Sequence, residues 1–261
     1  MSATISSINY CPVKSVSFQS VESCKIKKNI GIIRDRIFAF AKDLDQEKAK
    51  LFEKSTEERK GKWNKILTLK NSPALNKYNF LYEGNSLTLT FKDKEILKIN
   101  VNNLNERVEL SNRITELENS LNKPIILMKN EDCPFFDTSI SKKVDFINSV
   151  SLINIQSVYE FQKKIDKKIE TSIFRGNLCV EDIEPWKERE WIGKIIKINN
   201  ISFKVEKNIP RCVAINLKPK TDDNSLNLLQ LLKKTYNHFE MGIYLTALDD
   251  GEVVIGNTIN L

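Results

Sequence analysis

The residues of this sequence best suited to chemistry are Cys212 and the arginine before it, Arg211, which follow Pro210. They come just after residues 201–205, where apolar and polar side chains alternate as they do in a strand. A neighbouring guanidinium favours the thiolate form of a cysteine, and the thiolate is the species that attacks carbon or binds a metal. Spacing alone also allows a second interpretation, in which Cys212 is a small apolar residue packed near a strand end.

Few other catalytic chemistries are open to the chain. Its five cysteines are dispersed and form no Cys-x-x-Cys pair, which argues against a disulfide framework and against a zinc ribbon. The single histidine, His238, excludes any site that needs two imidazoles. Its place in a segment that we predict to be an amphipathic helix gives no support to serine–histidine or cysteine–histidine hydrolysis.

Composition predicts a globular, cytoplasmic protein. The chain has 261 residues, of which 41% are hydrophobic and 29% charged, an ordinary balance for a protein with a buried core. No apolar run approaches the roughly 20 residues that cross a bilayer, so we expect no membrane partner. The N-terminus has neither the basic region nor the apolar core of a signal peptide.

The net charge of +7 raises the question of an anionic partner. The lysines are spread along the whole chain and interleaved with acidic residues, which is typical of a solvated surface. A basic patch for an anionic ligand or an acidic protein is the alternative. We rank nucleic acid last, because the sequence lacks the aromatic and basic pattern of stacking platforms.

Short β-prone runs dominate the hydrophobic pattern. Two pairs of runs are separated by turn residues, Gly84 in one case and Asn199-Asn200 in the other, and they predict hairpins. The segment 42–62 is highly charged and predicts a loop with a short helix. The predicted strands are residues 5–15, 20–26, 37–40, 78–82, 87–91, 196–198, 201–205, 242–248 and 252–261.

Helical spacing of apolar residues is confined to three segments, and we expect three or four helices in all. The first segment ends before Pro124, and the last begins near residue 224 or 225. The apolar stripes are Leu110, Ile114, Leu117 and Leu121; Val158, Phe161, Ile165 and Ile169; and Leu228, Leu232, Tyr236 and Phe239.

Several short motifs occur in a fixed order along nearly the whole chain, and together they resemble the MOSC family, the molybdenum cofactor sulfurase C-terminal-like domain with an N-terminal β-barrel partner. Each motif alone is weak, but their order is specific. The motifs are Pro12-Val13-Lys14-Ser15, Gly31 with Asp35-Arg36, Phe174-Arg175-Gly176-Asn177, Glu184-Pro185-Trp186 with Trp191, Arg211-Cys212, Pro219-Lys220-Thr221, Gly242-Ile243-Tyr244, Gly251 and Val254-Ile255-Gly256-Asn257.

The resemblance implies a β-rich α+β fold with two domains. A small N-terminal β-barrel-like domain would span residues 1–122. A MOSC β-barrel with a few peripheral helices would span residues 123–261.

The resemblance also implies that the protein binds the molybdenum cofactor. Cys212 would supply a thiolate to molybdenum, and it is the expected catalytic residue and metal ligand. The remaining cysteines match no ligand position, and we expect them to be structural. The residues expected to hold the cofactor are Lys14, Ser15, Arg36, Arg175, Asn177, Arg211 and Cys212, and the structural cysteines are Cys11, Cys24, Cys133 and Cys179.

Simpler roles remain open for three of these residues. Arg36 could pair with Asp35 or another surface acid, Lys14 could be solvated, and Asn177 could cap or turn the chain. Ser149 and Ser151 stand where the reductase branch often has other polar residues, so a role for them is only an alternative. We assign Trp186 and Trp191 to packing. Departures from the family pattern at Ile215, Lys218 and Asn257 remove no expected cofactor ligand.

The resemblance favours the branch related to the amidoxime-reducing components. The expected activity is reduction of small N-hydroxylated molecules, with electrons from a flavin, haem or iron–sulfur protein, because the sequence has neither a ferredoxin-like cysteine cluster nor a dinucleotide fingerprint. The alternative is a sulfur or cofactor carrier that holds a persulfide on Cys212.

Overall fold

The computed structural model describes residues 3–16, 18–118, 120–121 and 124–261. Its strands are β1 (Ala3–Tyr10), β2 (Gln19–Val21), β3 (Ser23–Lys27), β4 (Gly31–Ile32), β5 (Phe38–Lys42), β6 (Tyr78–Glu83), β7 (Ser86–Phe91), β8 (Lys94–Asn100), β9 (Ile125–Lys129), β10 (Val150–Asn154), β11 (Leu178–Glu181), β12 (Ile195–Ile198), β13 (Ile201–Pro210), β14 (Glu240–Ala247), β15 (Gly251–Val254) and β16 (Thr258–Asn260). Its α-helices are α1 (Gln46–Lys54), α2 (Thr56–Arg59), α3 (Leu104–Leu117), α4 (Asp137–Ile140), α5 (Ile155–Ile165) and α6 (Leu228–Tyr236).

The largest sheet closes into a barrel. Seven strands follow one another in the order β11-β10-β14-β13-β12-β16-β1, β1 pairs with β11 to close the ring, and β2 extends the sheet beyond β1. Every pair is antiparallel except β10 with β11. Alternate residues of each strand point inward, as Phe203 and Val205 of β13 do, and they fill the barrel with an apolar core. The predicted β-rich fold is confirmed.

The remaining strands form smaller sheets outside the barrel. Strands β6, β7 and β8 make a three-stranded antiparallel sheet, β5 pairs with β9, and β15, β3 and β4 form a third sheet. A second apolar core lies beneath β5, β6 and α3, and it contains Phe38, Phe80 and Leu110. The predicted hairpins around Gly84 and Asn199-Asn200 are both present.

The predicted domain boundary, between residues 122 and 123, lies outside the described residues and stays a prediction. Strands from either side of it pair with each other. Strand β1 contributes to the barrel, β5 pairs with β9, and β3 pairs with β15. The strands of the N-terminal segment therefore share sheets with strands from the second half of the chain.

Helix ends follow the capping residues. Asn154 caps the start of α5 by accepting a hydrogen bond from the Gln156 amide at 3.0 Å. Helix α6 ends at Tyr236 because Asn237 adopts the left-handed conformation, with φ at 60°. His238 therefore lies beyond the helix, and its predicted place within an amphipathic helix is wrong.

The described residues hold six α-helices rather than the three or four predicted. The difference lies in short elements, because α2 and α4 are single turns of four residues each. The charged segment 42–62 contains α1 and α2, and the predicted leucine stripe of α3 buries Leu110 and Ile114.

Gly242 of β14 lies at a close approach between two barrel strands. Its φ is +78°, and a Cβ atom at this position would be 2.3 Å from the Leu152 carbonyl oxygen of the neighbouring strand β10. The side chain of Ile153 would be 2.5 Å away. Only glycine fits both the conformation and the space.

We expect Gly242→Ala to lower the free energy of unfolding by about 3 kcal/mol or more, through left-handed strain together with overpacking. Gly193→Ala is the matched control, because Gly193 has a φ of +81° and a Cβ atom there would meet nothing within 4 Å. The control isolates the backbone strain, about 1 kcal/mol. Urea denaturation measures both, and equal losses would contradict the close approach.

Candidate functional site

Two segments place Lys14 and Arg36 side by side at one end of the barrel. The Arg36 amide donates to the Cys11 carbonyl at 2.6 Å, and the Lys14 amide donates to the Phe38 carbonyl at 2.7 Å. The segment that leaves β1 therefore runs along the segment that enters β5. Lys14 is buried, with 2% of its surface exposed, so the interpretation of Lys14 as a solvated lysine is wrong. Ser15, next in the chain, is half-buried with φ at 65°.

The Asp35 carboxylate and the Asn177 side chain form the hydrogen-bonded centre of the site. Asp35, 1% exposed, pairs with Arg36 and accepts a hydrogen bond from the Cys11 amide at 2.7 Å. Asn177 donates to Asp35 at 3.0 Å and accepts from the Ser151 hydroxyl at 2.8 Å. The alternative that Arg36 pairs with Asp35 is correct, and Asn177 joins three segments rather than capping one.

Burial and ion pairing have opposite effects on the pKa values of Asp35 and Arg36. Burial raises the pKa of Asp35 overall, although Arg36 and the hydrogen bonds from Cys11 and Asn177 act in the opposite direction. Burial disfavours the Arg36 charge as well, but Asp35 raises the pKa of the guanidinium overall. Arg36 is thus a fixed cation, and it also lies over the Phe136 ring at 5.4 Å.

Arg175 lies in the same region with few partners for its charge. It adopts φ at 54° after the 3₁₀ turn Thr171–Phe174, and its guanidinium lies over the Phe18 ring at 4.6 Å. One nitrogen donates to the Cys11 sulfur at 3.4 Å. Burial raises the pKa of the Cys11 thiol, so the sulfur is a neutral neighbour. No carboxylate among the described residues pairs with Arg175.

Arg211 is held by backbone carbonyls. Its Nε donates to the Met241 carbonyl at 2.9 Å and one terminal nitrogen donates to the Phe174 carbonyl at 2.7 Å. Burial lowers the pKa of Arg211 to about 10, so the side chain is still cationic at neutral pH. These bonds fix the Arg211 loop against the residue that precedes Arg175. Within the described chain, Arg211 likewise has no carboxylate partner.

Cys212 is exposed, unlike the buried Cys11, Cys24 and Cys179. It lies two residues after the end of β13, immediately before the 3₁₀ turn Val213–Asn216. The alternative that Cys212 is a packed apolar residue is therefore wrong. The thiol is accessible to a metal or a small molecule.

Two further ionisable residues reach the site and were not among the predicted site residues. Asp137, at the start of α4, pairs with Lys14, and Tyr244 of β14 lies within electrostatic range of Asp137, Arg211 and Cys212. Burial raises the pKa of Tyr244 to about 12. Burial opposes ionisation of Asp137, but Lys14 and then Arg36 lower its pKa overall. The Asp137 side chain is 62% exposed, so its carboxylate reaches solvent although protein atoms surround the rest of the site.

We define the cation cluster as Lys14, Arg36, Arg175 and Arg211. All four interact electrostatically with Asp137. Asp35 and Asp137 are the carboxyl groups among them, so four basic side chains face two acidic ones, a formal excess of two positive charges. Such a site favours an anionic ligand, and a phosphate monoester is a dianion near neutral pH. An exposed thiol beside the cluster adds a soft donor for a metal.

The two serines considered as alternative site residues differ in their contacts, and both tryptophans pack against apolar or aromatic neighbours. Ser151 contacts the centre through Asn177, whereas Ser149 lies 3.4 Å from the Thr138 hydroxyl. Trp191 is buried in the barrel core, in line with its assignment to packing. Trp186 packs against Tyr236 with ring centroids 4.5 Å apart.

The comparisons with known proteins identify the family. A family model for the MOSC domain matches residues 119–260, more than half of the chain. The chain belongs to the MOSC domain family. It is also similar to a molybdenum cofactor sulfurase from Bombyx mori, with 29% identity over 152 residues. That match covers 55% of this chain and 18% of the length of the relative.

Solved structures with lower overall similarity include the YuaD protein from Bacillus subtilis, with a TM-score of 0.45 and 11% identity over 99% of this chain and 94% of that one. YiiM from Geobacillus stearothermophilus gives a TM-score of 0.34 and 13% identity over 42% of this chain and 52% of that one. The family assignment rests on the sequence match.

Two features are absent from the described residues. No helix in the ranges given above has the length and apolar character needed to cross a membrane. Likewise, no group of three or more histidine, cysteine, aspartate or glutamate side chains in the described part of the chain could hold a metal ion.

Asn177→Ala tests the hydrogen-bonded centre. The change removes one hydrogen-bond partner from each of Asp35, Ser151 and the Asn9 carbonyl inside the protein, so we expect the free energy of unfolding to fall by about 3 kcal/mol. Chemical denaturation measures it. Asn102→Ala, at an exposed position, is the control and should change stability by about 0.5 kcal/mol or less. Similar values for the two variants would exclude a central role for Asn177.

Proposed function

We propose that this protein binds the molybdenum cofactor between the cation cluster and Cys212, and uses it to reduce small N-hydroxylated compounds. The observation that carries the proposal is the excess of two positive charges beside an exposed thiol. The family assignment and the name of the Bombyx mori relative support a role connected with this cofactor.

The donor set fits the chemical groups of the cofactor. Its phosphate would take hydrogen bonds from the guanidiniums of Arg175 and Arg211, which lack carboxylate partners among the described residues, and charge from Lys14. Ser15 and Asn177, the other expected contacts, lie on the same segments, and Asn177 acts by holding Arg36 and Asp35 in place. When bound, the cofactor would supply two-electron chemistry at molybdenum.

Cys212 would be the protein ligand to the metal. A thiolate is a soft donor, and coordination removes its proton. Arg211, the preceding residue, keeps a positive charge beside the sulfur and is held in place by three hydrogen bonds to carbonyls. The exposed position of Cys212 leaves room for a substrate on its open side.

The proposed reaction converts an amidoxime to an amidine and water, and it consumes two electrons and two protons. The phenol of Tyr244 is protonated at neutral pH, and burial raises its pKa further, to about 12. Tyr244 lies within electrostatic range of Cys212, and in the proposed reaction it would serve as a hydrogen-bond donor there. Electrons would come from a flavin, haem or iron–sulfur protein. The lysine-rich surface suits an acidic partner of this kind.

The second candidate is a sulfur or cofactor carrier with a persulfide on Cys212. The accessible thiol favours it, because transfer of sulfur to another protein needs an exposed cysteine. The name of the Bombyx mori relative points to the same chemistry.

Cys212→Ala should abolish molybdenum binding while leaving the fold intact, because the residue is exposed. Protein made in a cofactor-producing host would be analysed for molybdenum by elemental analysis and for pterin by fluorescence after oxidation. Cys133→Ala, at a half-exposed cysteine outside the cation cluster, is the matched control and should keep its metal. Equal metal in the two variants would exclude Cys212 as the ligand.

Activity separates the two candidates. Wild-type protein should reduce an aryl amidoxime with reduced methyl viologen as electron donor, and Cys212→Ala should lose the activity by at least about 100-fold, the loss expected when a central catalytic group is removed. Molybdenum-loaded protein without this activity, together with one extra sulfur atom on Cys212 by mass spectrometry, would instead establish the carrier.

A further inference from the structure

We infer that Asp137 is an internal competitor for the cation cluster: its carboxylate occupies the place of a ligand phosphate, and a phosphate-bearing ligand binds by displacing it. The inference rests on the proposed function, because it takes the cation cluster as the phosphate site. It concerns a residue that belongs to none of the sequence motifs of the site.

Lys14 lies closer to the protein interior than Asp137, its partner in the ion pair. Lys14 is 2% exposed, whereas the Asp137 side chain paired with it is 62% exposed. The carboxylate therefore lies on the solvent side of the ammonium group. An anion that arrives from solvent meets Asp137 before it can reach Lys14.

The Asp137 carboxylate interacts electrostatically with more than Lys14. It interacts with Lys14, Arg36 and Arg175, and it also contributes to the field at Arg211. One carboxylate therefore lies within range of every member of the cation cluster. A phosphate and a carboxylate repel each other, so the cluster cannot hold both on the same cations without a loss of affinity.

The backbone that carries Asp137 is fixed, so the displacement involves the side chain. The Phe135 amide donates to the Arg36 carbonyl at 2.8 Å, and the Gly61 amide donates to the Ile140 carbonyl at 2.6 Å. Arg59, fully buried, donates to the Cys133 carbonyl at 2.8 Å. These bonds hold both ends of the segment 133–140. The exposed carboxylate can turn into solvent by rotation about its own side-chain bonds.

The test measures binding of inorganic phosphate to cofactor-free protein, by isothermal titration calorimetry at constant ionic strength. If Asp137 occupies the cluster about nine-tenths of the time, Asp137→Asn should tighten the Kd for phosphate about tenfold. Asp132→Asn is the control, because Asp132 is 93% exposed and pairs with Lys27 outside the cluster. The control should bind phosphate as the wild type does.

A second variant guards against misfolding. Asp137→Ser also removes the charge, and circular dichroism checks both variants for the native fold. The double variant Lys14→Gln with Asp137→Asn should lose most of the gain, since the freed ammonium group is then absent. Unchanged or weaker phosphate binding in folded Asp137→Asn or Asp137→Ser overturns the inference and makes Asp137 a residue that positions Lys14.

The outcome is distinguishable from failure of the proposed function. Wild-type protein that carries molybdenum and pterin, while Asp137→Asn gains no phosphate affinity, retains the proposed function and removes the inference. Wild-type protein that takes up neither molybdenum nor pterin, while Asp137→Asn binds phosphate about tenfold more tightly, removes the proposed function and retains Asp137 as an anion competitor.

Discussion

The site depends on one buried carboxylate, that of Asp35. It is 1% exposed, and it joins Arg36, the Cys11 amide and the Asn177 side chain at the end of the barrel. A buried charge is tolerated only when it is paired and hydrogen-bonded, so all these partners must be in place together. The same contacts that make the carboxylate tolerable therefore fix the position and charge of Arg36. Asn177 also accepts a hydrogen bond from the Ser151 hydroxyl, which connects Asp35 to strand β10.

The closed barrel explains why residues far apart in sequence converge. Strand β1 pairs with both β11 and β16, so the segment that follows β1 emerges beside the segment that precedes β11. Lys14 comes from the first segment and Arg175 from the second. Strands β13 and β14 bring Arg211 and Tyr244 to the same end, and Arg211 bonds to the carbonyl of Phe174. Backbone pairing in the closed barrel thus brings these segments together, and side-chain contacts such as that of Asn177 with Asp35 then hold them.

Local hydrophobic patterns and the order of the motifs were sufficient to predict some strands and some candidate site residues. The alternation around Asn199-Asn200 predicted the β12–β13 hairpin because a side-chain period of two is a local property. The motif order predicted Arg36 and Arg175 as site residues, and the structure brings the two within electrostatic range of each other. The position of His238 was missed, because the end of α6 depends on the left-handed Asn237 and not on the apolar stripe, which continues to Phe239.

The contact of Asp137 with Lys14 could not be predicted from the sequence. The Asp137 segment has no motif, and its approach to Lys14 across 123 positions follows from how the segment 133–140 packs on α2 and on the Arg36 backbone. Four cations without Asp137 would repel one another more strongly in the ligand-free protein, because like charges at short range disfavour each other. A carboxylate on the solvent side of Lys14 relieves that repulsion, and the same geometry makes it a competitor for whatever anion the cluster binds. Asp137 thus stabilises the ligand-free cation cluster and, for the same reason, lowers the affinity of the cluster for an anionic ligand.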